Sequence, residues 1–568
     1  MSSQVTKFLK FKDLRKLRSF SCFFYSSDNQ KNDTFIYNQE NGKEYEMRKK
    51  LNISGIIGSA LVGTGIYFIA NEKRKALAFD GNKQDFNYNP PVRDDLPTFK
   101  LTEIQKHGKN AERIWVTFKY GVYDITDFLE NHPGGNKILL AAGNSIEPFW
   151  AIYAQHKTND VLEILESLRI GTMDKEDFKK LTESSSETSE NDPYGKDPKR
   201  HPALIVNSHK PFNAETPASL LNDNFLTPND LFFVRNHMPV PEIDEKKHTL
   251  TIEGEYIKKP ITLKVKELKK KYKEYSITSV IQCAGNRRTE MNKYSKVQGL
   301  MWEGTAISNA KWTGVRLRDV LLDYLIDPND PTIKHVHFEG ADTDPTGTPY
   351  GASIPYKKAM GEECLIVYKM NDEPIPPDHG YPLRAIVPGN VGARQVKWLK
   401  KIVVSNVESP SHWQQKDYRA FSPSVKIGDQ IDFDSVPSIQ EYPIQSLICV
   451  PAQETKISKE DKEIDVCGYA WSGGGKGIIR VEISIDGGKN WQSAELEQDP
   501  DQTVDEMYAW TLWKATIKIP EDCDDSLTII CKATDRQYNT QPETASGIWN
   551  VRGLLHNAWH RVKINLVD

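Results

Sequence analysis

Hydrophobic and polar positions fall into distinct regimes along the chain. Residues 51–70, LNISGIIGSALVGTGIYFIA, carry no charge over 20 positions. As a helix they would extend about 30 Å, the thickness of a bilayer core, which predicts one membrane span or sorting segment. From about 93 to 178, β-branched and aromatic runs predict strands at 114–118 and 122–125, joined by a turn at Gly121. Thr126 or Asp127 is placed to cap a short helix ending at His132, and a second helical run covers 137–143. Val161, Leu162, Leu165 and Leu168 then recur at helical spacing. Residues 182–199, TESSSETSENDPYGKDPK, have almost no apolar side chain and predict a flexible tether, on the order of 25 Å r.m.s.. Strands, Gly/Pro loops and a few helices are expected from about 200 to 410. Beyond 411 the pattern turns all-β. Val481, Ile483 and Ile485 alternate before the hairpin signal Asp486-Gly487-Gly488-Lys489, and Leu512, Trp513, Ile517, Leu527, Ile529 and Ile530 mark further strands. Seven or so short strands in about 130 residues fit an immunoglobulin-like sandwich.

A chain of 568 residues with 38% hydrophobic and 27% charged residues is expected to hold several domains, and is neither collagenous, polytopic nor wholly disordered. Its net charge of −4 is unevenly placed. Residues 1–75 hold 14 Lys and Arg against 7 Asp and Glu, leaving a net −11 on the remainder. A basic head on an acidic body indicates a targeting segment and no nucleic-acid partner. Residues 1–27 are basic, Ser-rich and nearly free of acids, as in a mitochondrial presequence. Presequence (1–50) followed by span (51–70) predicts the mitochondrial intermembrane space, with a single membrane anchor if the span is retained. Seven cysteines, none in a Cys-x-x-Cys pair, indicate neither a disulfide framework nor a zinc ribbon.

Two histidines stand out in the first globular unit. His132 precedes Pro133-Gly134-Gly135, and His156 follows 24 residues later, beyond Phe149 and Trp150. Two imidazoles beside an apolar wall can hold an iron porphyrin from both faces, leaving an electron carrier with no open iron position. The run FLENHPGG…FWAIYAQH resembles the cytochrome b5 family over about 85 residues. The resemblance implies haem b, with His132 and His156 as axial ligands.

In the central unit a β-branched strand, Ser276 to Gln282, runs into Cys283-Ala284-Gly285-Asn286-Arg287-Arg288. Nearby guanidinium groups favour thiolate, a soft metal ligand. A lone cysteine is otherwise most simply a buried small hydrophobe. With no His/Cys/Asp cluster beside it, a metal here would need most of its ligands from an organic cofactor.

The runs FVRNH, QCAGNRR and DHGYPLRAIVPGNVGARQVKWLK together resemble the sulfite oxidase family of molybdenum enzymes, from about 199 to the C-terminus. The resemblance implies a multidomain α+β and all-β chain: a cytochrome b5-like domain (93–178), a linker (179–199), a molybdopterin-binding α+β domain (200–410) and a C-terminal immunoglobulin-like β-sandwich (411–568) that forms a homodimer. It implies Cys283 as the molybdenum ligand. It implies that the molybdenum cofactor (Mo-molybdopterin) is held by Phe233, Val234, Arg235, Asn236, His237, Asp342, His379, Arg384, Gln395, Val396 and Lys397. The implied anion site is Arg235, Arg288, Trp302, Tyr418 and Arg552, suited to sulfite because converging guanidiniums supply charge and directed donors.

The implied reaction is oxidation of sulfite to sulfate, with electrons passed through the haem to cytochrome c or oxygen. Cytochrome c, a basic protein, suits a body of net negative charge. A nitrate-reductase-like enzyme is the nearest alternative. It is expected to carry its b5 domain after the molybdenum domain, to end in a flavin domain and to have Met at the position of Arg552. A membrane-tethered haem carrier with an inactive molybdopterin scaffold is the second alternative.

Overall fold

Strands dominate the computed structural model, which describes residues 89–567 apart from 92, 94, 133–134, 153–155, 157–158, 184–192 and 345. The presequence and span expected over 1–70 lie outside the described residues, as does the middle of the tether. Among the described residues no helix is long and apolar enough to cross a membrane. The chain divides into two units, 1–92 with 130–135 and 93–129 with 136–568. Of the first, only 89–91, 130–132 and 135 are described.

In the second unit, residues 98–173 build a four-stranded sheet in the order Thr98–Phe99, Arg169–Met173, Gly121–Asp124, Trp115–Phe118. The strands fall within a residue of those expected. The cap does not. Asp124 accepts the Thr126 amide at 3.0 Å and the Thr126 hydroxyl at 2.6 Å, while that hydroxyl accepts the Ile114 amide at 2.8 Å. The carboxylate two residues earlier therefore does the capping, because Thr126 already tethers the neighbouring strand. The two helical runs expected here are 3-10 segments, Thr126–Asn131 and Gly135–Ala141. Helices Glu147–Ile152 and Asn159–Ser167 follow.

From Ile205 to Ser405 three sheets assemble. A three-stranded sheet joins Ile205–His209, Phe212–Glu215 and Val234–Arg235. A five-stranded sheet runs Pro349–Pro355, His335–Thr343, Leu399–Ser405, Thr249–Gly254, Ile261–Lys264. A second pairs Glu274–Gln282, Ile307–Arg316, Leu365–Met370 and Glu373–Pro374, with Arg384–Ile386 also on Leu365–Met370. Strand alternation sets what each face meets. Val280 packs with Leu447, Tyr469 and Trp510, and Ile281 and Cys283 pack with Phe232, Phe233 and Trp302.

The sandwich comprises a four-stranded and a five-stranded sheet, nine strands from Gln445–Val450 to His560–Val567. Its core centres on Val466, Val481, Ile529, Cys531 and Ile564. All six described cysteines are free thiols.

A buried ionic cluster ties the central sheets to the sandwich. Arg287, fully buried, donates to both oxygens of Glu290 at 2.6 and 2.7 Å and to the Ser446 carbonyl at 3.3 Å. Burial opposes the Glu290 charge, but the Arg287 charge and hydrogen bonds prevail and hold it down to about 2. Burial, reinforced by Arg287, pulls His556 to about 3, and burial pulls His560 to about 4. In each case the unfolded chain takes up protons at a higher pH than the native one, so acid favours unfolding. Stability therefore falls as pH drops below the ordinary histidine range, about 6.5, and again below about 4.5 as unfolded Glu290 protonates. His560 Nδ1 accepts the Ile448 amide at 3.1 Å, an interaction Asn can reproduce. Urea unfolding of His560→Asn should show a shallower loss of stability between pH 6.5 and 4 than the parent. An equal slope would contradict the assignment.

Candidate active site

The strand Glu274–Gln282 ends its ladder at Gln282 opposite Ile307, and the next amide, Cys283, donates to the Ala306 carbonyl at 2.9 Å. The thiol thus stands one residue beyond the sheet, on the face of Ile281. The turn closes through Asn286 N to Cys283 O at 2.9 Å, and Arg287 takes the left-handed conformation, φ 63°, ahead of helix Arg288–Tyr294. The facing loop is fixed from three sides. Glu215, 1% exposed, accepts the amides of Glu303, Gly304 and Thr305 at 3.0, 3.2 and 2.9 Å. Asn286 accepts the Ala306 amide at 3.0 Å and donates to Tyr469 Oη at 3.0 Å. Tyr469, in the sandwich strand Glu463–Trp471, donates to the Gly304 carbonyl at 2.7 Å.

Cys283 opens into a cavity of about 70 Å³. Its lining includes Phe233, Arg235, His237, Asp342, His379, Arg384, Gln395, Val396, Lys397 and Tyr418. Three cations lie here. Arg235 donates to Asn213 Oδ1 at 3.0 Å and the Asn236 carbonyl at 2.6 Å. Arg384 donates to the carbonyls of His379 and Gln395 at 2.8 and 2.9 Å, over Trp312. Lys397 donates to the Asp378 carbonyl at 2.7 Å, to the Arg235 carbonyl at 3.1 Å and to Asn236 Oδ1. Gly380, φ 110°, lets these chains converge: a Cβ there would lie 3.0 and 3.1 Å from the Cβ atoms of Lys397 and Arg384.

Mostly carbonyls, not carboxylates, hold these charges. Burial draws Lys397 below the ordinary lysine range and raises Asp342 above the ordinary carboxylate range. Arg384, pulled down to about 9 by burial, remains a cation at neutral pH. Asp342 Oδ1 and Arg384 Nε are buried without a hydrogen-bond partner among the described residues. Among the described residues no three His, Cys, Asp or Glu side chains converge as a metal cage.

Tyr418 follows the π-helical turn Trp413–Asp417 and receives or gives a hydrogen bond at His237 Nε2, 2.8 Å away. Burial holds His237 neutral, with Arg235 and Lys397 adding to the effect, and keeps Tyr418 protonated. Burial also outweighs Arg235 and Arg288 at Cys283, whose thiol is pushed up rather than down. The guanidiniums alone therefore do not favour the thiolate expected from the sequence.

Five expected residues do not line the cavity. Val234 packs with Leu204, Phe212 and Ala214, and Asn236 serves Lys397 and donates to Asp378 at 2.9 Å. Trp302 packs beside Cys283 from the core. Arg288 lies in a cradle where a Cβ at Gly285, Gly299 or Gly553 would approach it to 2.6, 2.9 or 2.7 Å. It donates to the carbonyls of Leu300, Arg552 and Gly553. Arg552 pairs with Asp417.

Asp378 and Tyr350, both in the lining, were not among the residues expected from the sequence, nor were Glu215 and Tyr469. Asp378 opens the DHGYPLR run, so its motif could have shown it. Glu215 and Tyr469 act through backbone of a distant loop and leave no local signal. Tyr469→Phe should cost about 1–3 kcal/mol by leaving the buried Gly304 carbonyl without its donor. Urea unfolding of the full chain measures it, and a loss below about 0.5 kcal/mol would contradict this role.

Three family models match the chain. A cytochrome b5-like haem/steroid binding domain covers 100–174, an oxidoreductase molybdopterin binding domain 237–413, and a Mo-co oxidoreductase dimerisation domain 436–567. Mitochondrial sulfite oxidase of Drosophila melanogaster is 48% identical over 482 residues, 84% of this chain and 82% of that protein. The Homo sapiens protein of that name is 48% identical over 465 residues, 81% and 83%. A nitrate reductase of Hordeum vulgare is 37% identical over 383 residues, but only 42% of it is covered. Among solved structures, the sulfane dehydrogenase SoxCD of Paracoccus pantotrophus matches in fold, with TM-score 0.53, 24% identity, and 62% of this chain and 84% of that chain covered. A buried thiol in a cationic cavity, this order of three domains and near-half identity across most of both chains lead to one conclusion: the chain belongs to the sulfite oxidase family.

Proposed function

We propose that this chain oxidises sulfite to sulfate and passes the two electrons singly through its b5-like unit to cytochrome c. The observation that carries the reading is the cavity itself: one thiol, Cys283, among Arg235, Arg384 and Lys397. A molybdenum-bearing, phosphorylated pterin dithiolene fits the donor set. Its sulfurs would supply the ligands missing among the described residues, and its phosphate and pterin heteroatoms would be held by the buried cations and by groups such as Arg384 Nε and Asp342 Oδ1. When bound, this group supplies oxygen-atom transfer and accepts two electrons.

In this reading Cys283 is the molybdenum ligand. Phe233, Val234, Arg235, Asn236, His237, Asp342, His379, Arg384, Gln395, Val396 and Lys397 hold or frame the pterin. Val234 and Asn236 act through the backbone and through Lys397. Arg235 donates to the sulfite dianion, and Tyr418, fixed by His237, orients it with a neutral phenol. Arg288, held on carbonyls, and Arg552, paired with Asp417, add positive potential from outside the cavity wall. Trp302 keeps the Cys283 side dry. Water supplies the new oxygen of sulfate, and two protons leave with the two electrons.

His132 and His156 are proposed as the axial ligands of haem b. His132 follows the 3-10 segment Thr126–Asn131, and the His156 ring lies parallel to Trp150 at 5.5 Å. A mitochondrial location is supported by the names of the relatives, and the intermembrane space is proposed from the basic presequence-like head followed by the uncharged segment 51–70. Homodimerisation through the sandwich is supported by its family match. Retention of residues 51–70 would add one membrane anchor. The nitrate-reductase-like alternative has weaker support, since that relative is both less identical and less fully covered.

Anaerobic addition of sulfite to the full-length holoenzyme should reduce the haem, giving a ferrous b-type spectrum without added acceptor. A haem that stays ferric would overturn the electron route. Cys283→Ser should lower turnover at least 10³-fold, in the range of a lost essential catalytic group, while leaving the haem spectrum unchanged. Near-parental turnover would refute Cys283 as the ligand.

A further inference from the structure

The residues that follow the tether connect the cavity wall to the b5-like unit. Arg200 is 14% exposed at its side chain and bridges Asp378 at 2.8 and 2.9 Å and Asp197 at 2.8 Å. Its guanidinium lies 4.2 Å from the centre of the Phe212 ring. Asp378 is part of the cavity lining and its carbonyl holds Lys397. A bidentate, largely buried pair of this kind fixes the chain rigidly where the tether ends. The next residue, His201, meets Phe149 edge to face, with centroids 5.2 Å apart and planes at 89°. Leu140 and Phe149 pack on Ala203, Leu220 and Leu231. Phe149 sits in helix Glu147–Ile152 beside Trp150, whose ring is parallel to that of His156.

We infer that His201, Ala203, Leu220 and Leu231 form the landing site of the chain's own b5-like unit, which docks through Leu140 and Phe149 and receives electrons there. Two features favour this use. The contact lies one residue from Arg200, so the landing site is held in register with the cavity wall. It also gives a continuous run of contacts between that wall and His156. From Asp378 to His156 the contacts run Asp378, Arg200, His201, Phe149, Trp150, His156, by hydrogen bond, peptide bond or ring contact at each step. Electron transfer falls steeply with distance, and a bonded and packed path conducts better than the water-filled gap of an undocked unit. One electron crosses at a time, reducing ferric haem to ferrous, with sulfite oxidation at the cavity as its source.

This inference rests on the proposed ligation of haem by His156, and the test separates the two. Phe149→Ala and His201→Ala, one on each side of the contact, are made in the full-length holoenzyme. After anaerobic mixing with sulfite, haem reduction should slow at least tenfold in both, with the single-turnover yield of sulfate unchanged. In the full chain without cofactors, hydrogen exchange at the amides of Leu204, Leu220 and Leu231 should be faster in Phe149→Ala than in the parent. These amides donate to His201, Pro217 and Pro228 beneath the contact. Haem reduction within twofold of the parent in both variants, or unchanged exchange in Phe149→Ala, would overturn the landing site. A parent haem whose spectrum is not bis-imidazole would instead defeat the His156 reading, while the exchange result still decides the contact.

Discussion

Three buried cations around a single thiol set the terms for the rest of the molecule. A charge removed from water costs several kcal/mol unless paired or well hydrogen-bonded. Here Arg384 rests on two backbone carbonyls, Lys397 on two carbonyls and an amide oxygen, and Arg235 on a carbonyl and an amide oxygen. Such neutral acceptors offset desolvation and, at Arg235 and Arg384, leave the positive charge in place. The cavity is therefore built for an anion, and a phosphorylated cofactor with an anionic substrate completes it.

The surrounding architecture keeps those groups in position. The strand Glu274–Gln282 presents Cys283 by ending one residue short of it, and the sandwich reaches across to brace the facing loop through Tyr469 and Gly304. The hydrophobic core is continuous over that junction, with Val280, Ala284, Ile307 and Val391 packed among Leu447, Tyr469, Trp471 and Trp510. The sandwich thus braces the loop behind the site, although its strands, which begin at Gln445, contribute no residue to the cavity lining among the described residues.

What the chain disclosed before folding followed a simple division. Strands with clean alternation were legible, as in Val481, Ile483 and Ile485, and so were contiguous motifs, as in the cavity-lining Phe233, Arg235 and His237 run. The local cap was misassigned because Thr126 had a partner, the Ile114 amide, that only the neighbouring strand supplies. The direction of the Cys283 shift was misjudged because proximity to Arg288 is visible in sequence whereas burial is not. Arg288 and Arg552 looked like pocket donors from their motifs. The fold commits one to backbone carbonyls and the other to Asp417. Residues that act on distant backbone, Glu215 above all, had no sequence signature to read.

The central claim is that Cys283 supplies one sulfur to a metal whose remaining sulfurs come from an organic group. X-ray absorption at the molybdenum edge of the purified holoenzyme tests it directly when compared with Cys283→Ser. The account predicts one fewer sulfur scatterer per molybdenum in the variant, with the cofactor still bound. An unchanged sulfur count would contradict it.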